Sequence, residues 1–228
     1  MNFFRLVFVI AVKDLRAELR TKEAINASFA FAVVILLLFS FAFSELPTET
    51  KQAMSGGLLW IVFAFAGTLV LNRSFVRELP NDCLDALIAA PVPGAALFLG
   101  KVLANYVLVL AVELVSLPVF GIFYDVRTWT DQFPQLMLVL ALGTWALTVI
   151  GTIFSALTVN IRLREVMLPM LTYPILVPAL LGAMELTADL VAGKPIGPET
   201  VTWLRMIIGF DVIYTAVSLV LIDFVLVG

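Results

Sequence analysis

The apolar run GGLLWIVFAFAGTLVL, residues 56–71, decides the fold. It carries no charged residue and approaches the length of about 18 apolar residues that crosses a bilayer as a helix. Further membrane spans are predicted at residues 24–43, 95–123, 135–159, 166–186 and 203–227. Hydrophobic residues make up 62% of the 228 residues, and the mean hydropathy is +1.07. We therefore predict an all-α, polytopic membrane protein with six transmembrane helices in a single domain, residues 1–228.

Two of the predicted spans contain residues that disfavour a regular helix. The third span holds Pro118 and Gly121, and we expect it to be interrupted there. The fifth span holds Pro169, Pro174 and Pro178, and we expect it to be kinked or partly unwound.

The loop after the opening run contains RELPNDCLDALIAAP, residues 77–91, which predicts a short amphipathic helix at residues 80–90. Pro80 suits the first turn of a helix, and Pro91 ends it. The apolar residues recur at positions i, i+3 and i+4 and form one stripe: Leu84, Leu87 and Ile88. Such a helix either lies in the lipid headgroups or transmits force to a partner, and these residues alone leave both open.

Residues 1–23 predict an amphipathic helix that lies along the membrane surface, with its basic side chains near the headgroups. Its charged positions include Lys13, Asp14, Arg16, Glu18 and Arg20. A cleaved signal peptide is not expected, because two charged residues follow the short apolar core where small residues are required.

The distribution of positive charge predicts the orientation. Six spans put both termini on one side, and that side carries ten of the 14 Lys and Arg residues: Arg5, Lys13, Arg16, Arg20, Lys22, Arg73, Arg77, Lys101, Arg162 and Arg164. By the positive-inside rule, both termini and the helix at 80–90 are cytoplasmic. We therefore expect a multi-pass membrane protein.

Several classes of chemistry are excluded by composition. The chain has no histidine and no G-x-x-x-x-G-K-[ST] motif, so it lacks imidazole metal ligands, a Ser/His or Cys/His catalytic pair and a phosphate-binding loop. Its single cysteine, Cys83, has no intramolecular disulfide partner. We expect no enzymatic activity from this chain alone, no bound metal or cofactor, and no nucleic-acid partner.

Three carboxylates in the predicted spans are candidate functional residues: Glu113, Asp211 and Asp223. An acidic side chain at mid-bilayer costs roughly 2.5–3.5 kcal/mol, so it normally faces the bundle interior or a partner. Each is either a substrate-path or gating residue, or a protonated acid that bonds a neighbouring helix. A stripe of small side chains on the fourth span indicates close helix packing or a dimer face: Thr144, Thr148, Thr152 and Ala156.

The sequence resembles a known family over nearly its whole length. Residues 13–23, KDLRAELRTKE, resemble the signature before the first span of the cytochrome c maturation permease family called haem exporter protein B. Residues 87–101 are similar to the cytoplasmic loop of that family, and residues 164–169 and 210–213 also match it in order. Cys83 and the non-acidic C-terminal end depart from the family pattern.

The resemblance implies an ABC transporter permease of the bacterial inner (plasma) membrane, with an ABC-2-like arrangement of six spans. It implies a homodimer that works with two copies of a cytoplasmic ATPase, which would bind ATP and Mg²⁺. The other implied partners are a haem-handling membrane protein, a small membrane subunit and a periplasmic haem chaperone, whose haem-loaded form is released by ATP hydrolysis. Haem would be handled by the complex, because a chain without histidine is poorly suited to axial haem ligation.

We expect the helix at 80–90 to dock in a groove of the ATPase. The predicted coupling residues are Leu84, Leu87 and Ile88 as anchors, with Glu78, Asp82 and Asp85 as a polar rim. Two alternatives stay open at this point: a permease of another ABC exporter, for lipid, glycan or drug, and a passive scaffold subunit of a haem-handling complex.

Overall fold

The structure, a computed structural model, describes residues 2–80, 83, 87, 92–124 and 129–227. Its described residues form seven α-helices and no strand: α1 (Phe3–Thr21), α2 (Glu23–Ala42), α3 (Thr48–Leu71), α4 (Gly94–Phe123), α5 (Trp129–Thr158), α6 (Arg164–Val191) and α7 (Val201–Val227). A short 3₁₀ helix, Val76–Glu78, follows α3. Helices α2 to α7 are each long and apolar enough to cross a membrane, so the predicted all-α fold with six spans is confirmed.

The helix ends differ from the predicted spans where polar residues continue a helix beyond its apolar part. Helix α3 begins at Thr48 rather than at residue 56, and α6 ends at Val191 rather than at residue 186. Backbone hydrogen bonds of a helix do not depend on apolar side chains, whereas the apolar run marks only the part that crosses the hydrocarbon.

The predicted interruption of the third span is wrong, because α4 is helical through Pro118. Leu117 and Phe120 are buried on both sides of this proline, and their packing holds the helix in place. Helix α6 is likewise continuous through its three prolines, so partial unwinding is also wrong there. Its buried stripe runs along the whole proline region and fixes it against the neighbouring helices: Leu168, Thr172, Leu176 and Ala179.

Helix α3 is largely buried in the bundle; it contacts α2 and α4, and it packs closely on α5 and α6. The buried Trp60 donates a hydrogen bond from Nε1 to Oγ1 of Thr187 at 2.9 Å. A Cβ added at Gly143 would lie 2.1 Å from the Trp60 ring, and one added at Gly56 would lie 2.0 Å from the carbonyl oxygen of Met184. Both glycines are therefore required for α3 to approach its two neighbours.

Helix α1 packs along the start of α4. Val7 and Ile10 are buried there, and a Cβ added at Gly100 would lie 2.7 Å from Ile10. Phe4 and Phe8, in contrast, are 81% and 67% exposed. The predicted N-terminal amphipathic helix thus exists, but part of its apolar surface contacts α4 and leaves a second apolar face free for lipid.

One end of the bundle, which we call the α1 end, collects the polar residues discussed below. Helices α2, α4 and α6 begin at this end, and α3, α5 and α7 finish there. A compact apolar cluster joins these helix ends and includes Phe75, Phe98, Val159 and Ile222. This cluster gives the segment after α3 a fixed place against the bundle.

Candidate functional site

The most unusual polar group at the α1 end is the ammonium of Lys101, in the second turn of α4. The side chain is fully buried. Its Nζ donates to the carbonyl oxygen of Ser74 at 2.8 Å and to Oε1 of Glu78 at 3.0 Å, and it lies 3.2 Å from Oδ2 of Asp14. It also lies 4.6 Å from the centre of the Phe75 ring. A buried charge is stable only with such a set of partners.

Helix α1 supplies a second lysine to the same carboxylate. Lys13 donates from Nζ to Oε1 of Glu78 at 2.6 Å and lies 3.2 Å from Oδ1 of Asp14. Burial lowers the pKa of Lys13, but the hydrogen bond to Glu78 and the charge of Asp14 outweigh this effect, so its pKa is raised above the ordinary value. Lys13, Asp14, Glu78 and Lys101 therefore form a charge-balanced group, here called the Lys101 cluster, which joins α1, α4 and the 3₁₀ helix.

Glu18 makes a second junction beside the Lys101 cluster. It is fully buried, and its Oε1 accepts hydrogen bonds from the backbone N–H groups of Ala24 and Ile25 at 2.8 and 3.1 Å. These N–H groups belong to the first turn of α2, where a carboxylate is favoured by the helix dipole. The other oxygen of Glu18 pairs with Arg77. One side chain thus ties α1 to α2 and to the 3₁₀ helix.

The predicted interface residues divide into two groups. Lys13, Asp14 and Glu18 contact other parts of the chain, as described above. Arg16 and Arg20 are exposed and form no ion pair with any described residue, so these two are the ones placed to meet headgroups.

Most of the predicted coupling residues lie outside the described part of the chain: Asp82, Leu84, Asp85 and Ile88. Cys83 is helical and exposed, and Leu87 is helical and half-buried. Glu78 is only 7% exposed, and its carboxylate binds two lysines. It therefore anchors the segment that leads to residues 80–90, and its predicted place on a polar rim for the ATPase stays a prediction.

The predicted intramembrane carboxylates also divide. Glu113 is 1% exposed and accepts a hydrogen bond from Oγ1 of Thr144 at 2.5 Å, while its Oε1 has no partner among the described residues. Asp211 is 7% exposed, and neither of its oxygens has a partner in the described part of the chain. Asp223 is exposed on α7, so the first two carboxylates are buried in the bundle and the third is not.

The stripe of small residues on α5 lies inside the subunit. Thr144, Thr148 and Thr152 are fully buried, and Thr152 accepts a hydrogen bond from Nδ2 of Asn105 at 2.9 Å. The same Asn105 nitrogen donates to Oγ of Ser74 at 2.9 Å. The packing interpretation is confirmed, and the dimer-face alternative is wrong for this stripe.

Sequence reasoning used Lys101 and Arg77 only in the count of positive charge, and it gave no role to Ser74 or Asn105. Lys101 carried a usable signal, because a lysine near the start of an apolar span requires a buried partner. Arg77 and Ser74 sit in a loop without periodicity, and their contacts depend on where α1 packs. Among the described residues, no group of three or more His, Cys, Asp or Glu side chains is placed to hold a metal ion.

The chain matches known proteins over nearly its whole length. Residues 5–226 match the model of a family described as CcmB protein. A Heme exporter protein B of Rhodobacter capsulatus is 30% identical over 174 residues, which cover 76% of this chain and 78% of that protein. The Paracoccus denitrificans protein of the same name is 28% identical, with 81% and 83% covered, and the Haemophilus influenzae protein 26%, with 90% and 91% covered. The matched region runs from α1 into α7.

Proposed function

The chain belongs to the CcmB protein family of haem exporter membrane components, and from this premise we propose that it is the permease subunit of an ABC transporter for cytochrome c maturation. Two copies would pair with two copies of a cytoplasmic ATPase in the inner membrane, with both termini cytoplasmic. A haem-handling membrane protein, a small membrane subunit and a periplasmic haem chaperone would complete the assembly. ATP hydrolysis by the partner would drive release of the haem-loaded chaperone.

The Lys101 cluster is the observation that supports this proposal. Residues 80–90 directly follow the 3₁₀ helix, in which Glu78 is bound by Lys13 and Lys101. An ATPase that displaces residues 80–90 would therefore pull on α1 and α4 at the same time. The pair formed by the buried Glu18 and the partly exposed Arg77 would carry the same displacement into the first turn of α2.

The energy of the buried contacts favours a joint movement of the elements that they connect. Removal of one partner from a buried ion pair typically costs about 3–5 kcal/mol, because the remaining charge is left without compensation. A displacement that keeps the contacts costs far less than one that breaks them. We therefore propose that α1, α4 and the 3₁₀ helix move together when the ATPase pair closes.

This chain would transmit movement and would not hold the haem iron. It has no histidine to supply an imidazole ligand, and no phosphate-binding loop to hold ATP. Haem is the cargo of the complex in this proposal, and ATP with Mg²⁺ belongs to the partner ATPase.

Copurification from native membranes tests the coupling. Leu87→Asp places a charge on the predicted docking stripe and should abolish copurification of the ATPase while the chain still reaches the membrane. Leu163→Asp is the control, because Leu163 is 69% exposed at the same end and lies outside residues 80–90. Full recovery of the ATPase with Leu87→Asp would contradict the proposed docking of residues 80–90.

A further inference from the structure

A cleft of about 580 Å³ opens between α2, the end of α3 and the start of α6. It lies at the α1 end but is separate from the Lys101 cluster. Its walls combine apolar and basic side chains: Ala27, Phe31, Phe65, Leu69, Arg73 and Arg164. Neither the proposed coupling nor the intramembrane carboxylates use this space.

The interior of the cleft is apolar and aromatic. Phe65 is 47% exposed and Leu69 is 37% exposed, although both lie on a helix whose other faces are buried. The rings of Phe65 and Phe31 lie 6.4 Å apart and both line the cleft, and the Tyr173 ring supports Phe65 at 5.2 Å. Ala27 lies one turn before Phe31 on the same face of α2, and its small side chain leaves the space beside Phe31 open. An exposed apolar cleft within a membrane span suits a hydrocarbon chain.

The mouth of the cleft carries two guanidinium groups. Arg73 is 44% exposed on its side chain and pairs with the exposed Glu23. A guanidinium has five N–H donors, so this pair leaves most of the Arg73 donors available. Arg164 lies within salt-bridge distance of no carboxylate among the described residues, although the exposed Glu165 also lines the mouth. Two guanidinium groups beside an apolar cleft match a phosphate, which arginine binds in a bidentate manner.

We propose that this cleft binds an anionic phospholipid from the leaflet at the α1 end. The phosphate contacts Arg73 and Arg164, and one acyl chain lies against Phe31 and Phe65. Six residues of helix separate Phe65 from Leu71, the last residue of α3, a rise of roughly 9 Å, and Arg73 follows two residues later, so the cleft spans the glycerol and the first part of an acyl chain. The inference concerns the lipid around the bundle and stands independently of the proposed coupling to an ATPase.

The charge requirement is tested by photocrosslinking in vesicles. The full chain is reconstituted in phosphatidylcholine with a phosphatidylglycerol probe that carries a diazirine on its acyl chain, and the crosslinked peptides are identified by mass spectrometry. We expect crosslinks in residues 24–31 and 65–73. Arg164→Gln should lower their yield about tenfold, as expected for the loss of a charge-assisted bond to phosphate. Arg162→Gln is the matched control, because Arg162 is exposed two residues away and does not line the cleft.

The shape requirement is tested by filling the cleft. Ala27→Trp should abolish the crosslinks, and Ala30→Trp should leave them unchanged, because Ala30 is exposed on the same helix but does not line the cleft. Equal yields for Arg164→Gln and Arg162→Gln, or equal yields for a phosphatidylcholine probe, would show that the site does not select an anionic headgroup. Loss of the crosslinks on addition of haem, but not of unlabelled phosphatidylglycerol, would assign the cleft to haem and overturn the proposal.

Discussion

Lys13 and Lys101 bind the same oxygen of Glu78, although one lysine is half exposed on α1 and the other is fully buried on α4. The two Nζ atoms lie 2.6 and 3.0 Å from Oε1 of Glu78. A single carboxylate thus joins three elements that are far apart in sequence. The stability of the α1 end should therefore depend on this oxygen and on the buried ammonium beside it.

Lys101→Ala should destabilise the protein strongly. The substitution leaves Asp14 and Glu78 with the half-exposed Lys13 as their remaining cation, so the expected cost is about 3 kcal/mol, the lower end of the range for a broken buried ion pair. The thermal midpoint of the detergent-solubilised chain measures it. Lys194→Ala is the control: its Nζ lies 3.6 Å from Asp189 in an exposed pair, which contributes about 0–1 kcal/mol. Equal midpoints for the two variants would contradict the assigned role of Lys101.

Glu18 should stabilise the first turn of α2 through its acceptor oxygen as well as through its charge. Glu18→Gln keeps an oxygen that can accept from the N–H groups of Ala24 and Ile25, whereas Glu18→Ala removes it. We expect Glu18→Ala to be less stable than Glu18→Gln by about 1 kcal/mol, the usual effect of a lost helix cap. Hydrogen exchange should be faster in the first turn of α2 for Glu18→Ala only. A uniform change along α2 in both variants would show that Glu18 does not cap this helix.

Much of the architecture follows from the sequence, because apolar run length reports directly on membrane spans. The six spans were predictable in this way, and the N-terminal helix was predictable from its amphipathic pattern. Helix continuity at Pro118 was not, because it depends on the packing of Leu117 and Phe120 against other elements. The partners of Lys101 could not be predicted from the sequence either, since Glu78 and Asp14 are 23 and 87 residues away from it and meet it only when α1 packs on α4.

The stability of the α1 end should fall at alkaline pH through Lys13. Its pKa is raised in the folded chain, so its contribution is complete below the ordinary lysine pKa of about 10.4 and is lost as the pH rises through the higher folded value. Half of this side chain is exposed, and the effect should be small. Lys13→Arg stays charged and should lose less stability than the wild type between neutral pH and pH values above about 10.4. Identical pH profiles would contradict a stabilising charge at this position.

The hydroxyl of Thr144 should contribute more to the thermal stability of the bundle than the hydroxyl of Thr148, one turn further along α5. Thr144→Val leaves the buried carboxyl of Glu113 without a described partner, at an expected cost of about 1–3 kcal/mol. Thr148 is equally buried, but its hydroxyl donates only to carbonyl oxygens of its own helix. Thr148→Val is therefore the matched control and should cost less. A greater loss of thermal stability in Thr148→Val would show that the bond between Thr144 and Glu113 does not stabilise the bundle.

Glu78→Gln should distinguish the transmission of movement from the assembly of the complex. Glutamine keeps an oxygen for one lysine but removes the charge that holds both, so α1 and α4 should follow the 3₁₀ helix less closely. In the purified complex we expect normal copurification of the ATPase and a lower rate of chaperone release for each ATP hydrolysed. The control is Asp189→Gln, which removes a carboxylate at the opposite end of the bundle, where it pairs with the exposed Lys194. Unchanged release per ATP in Glu78→Gln would mean that the segment after α3 does not carry the movement, and would favour a passive scaffold.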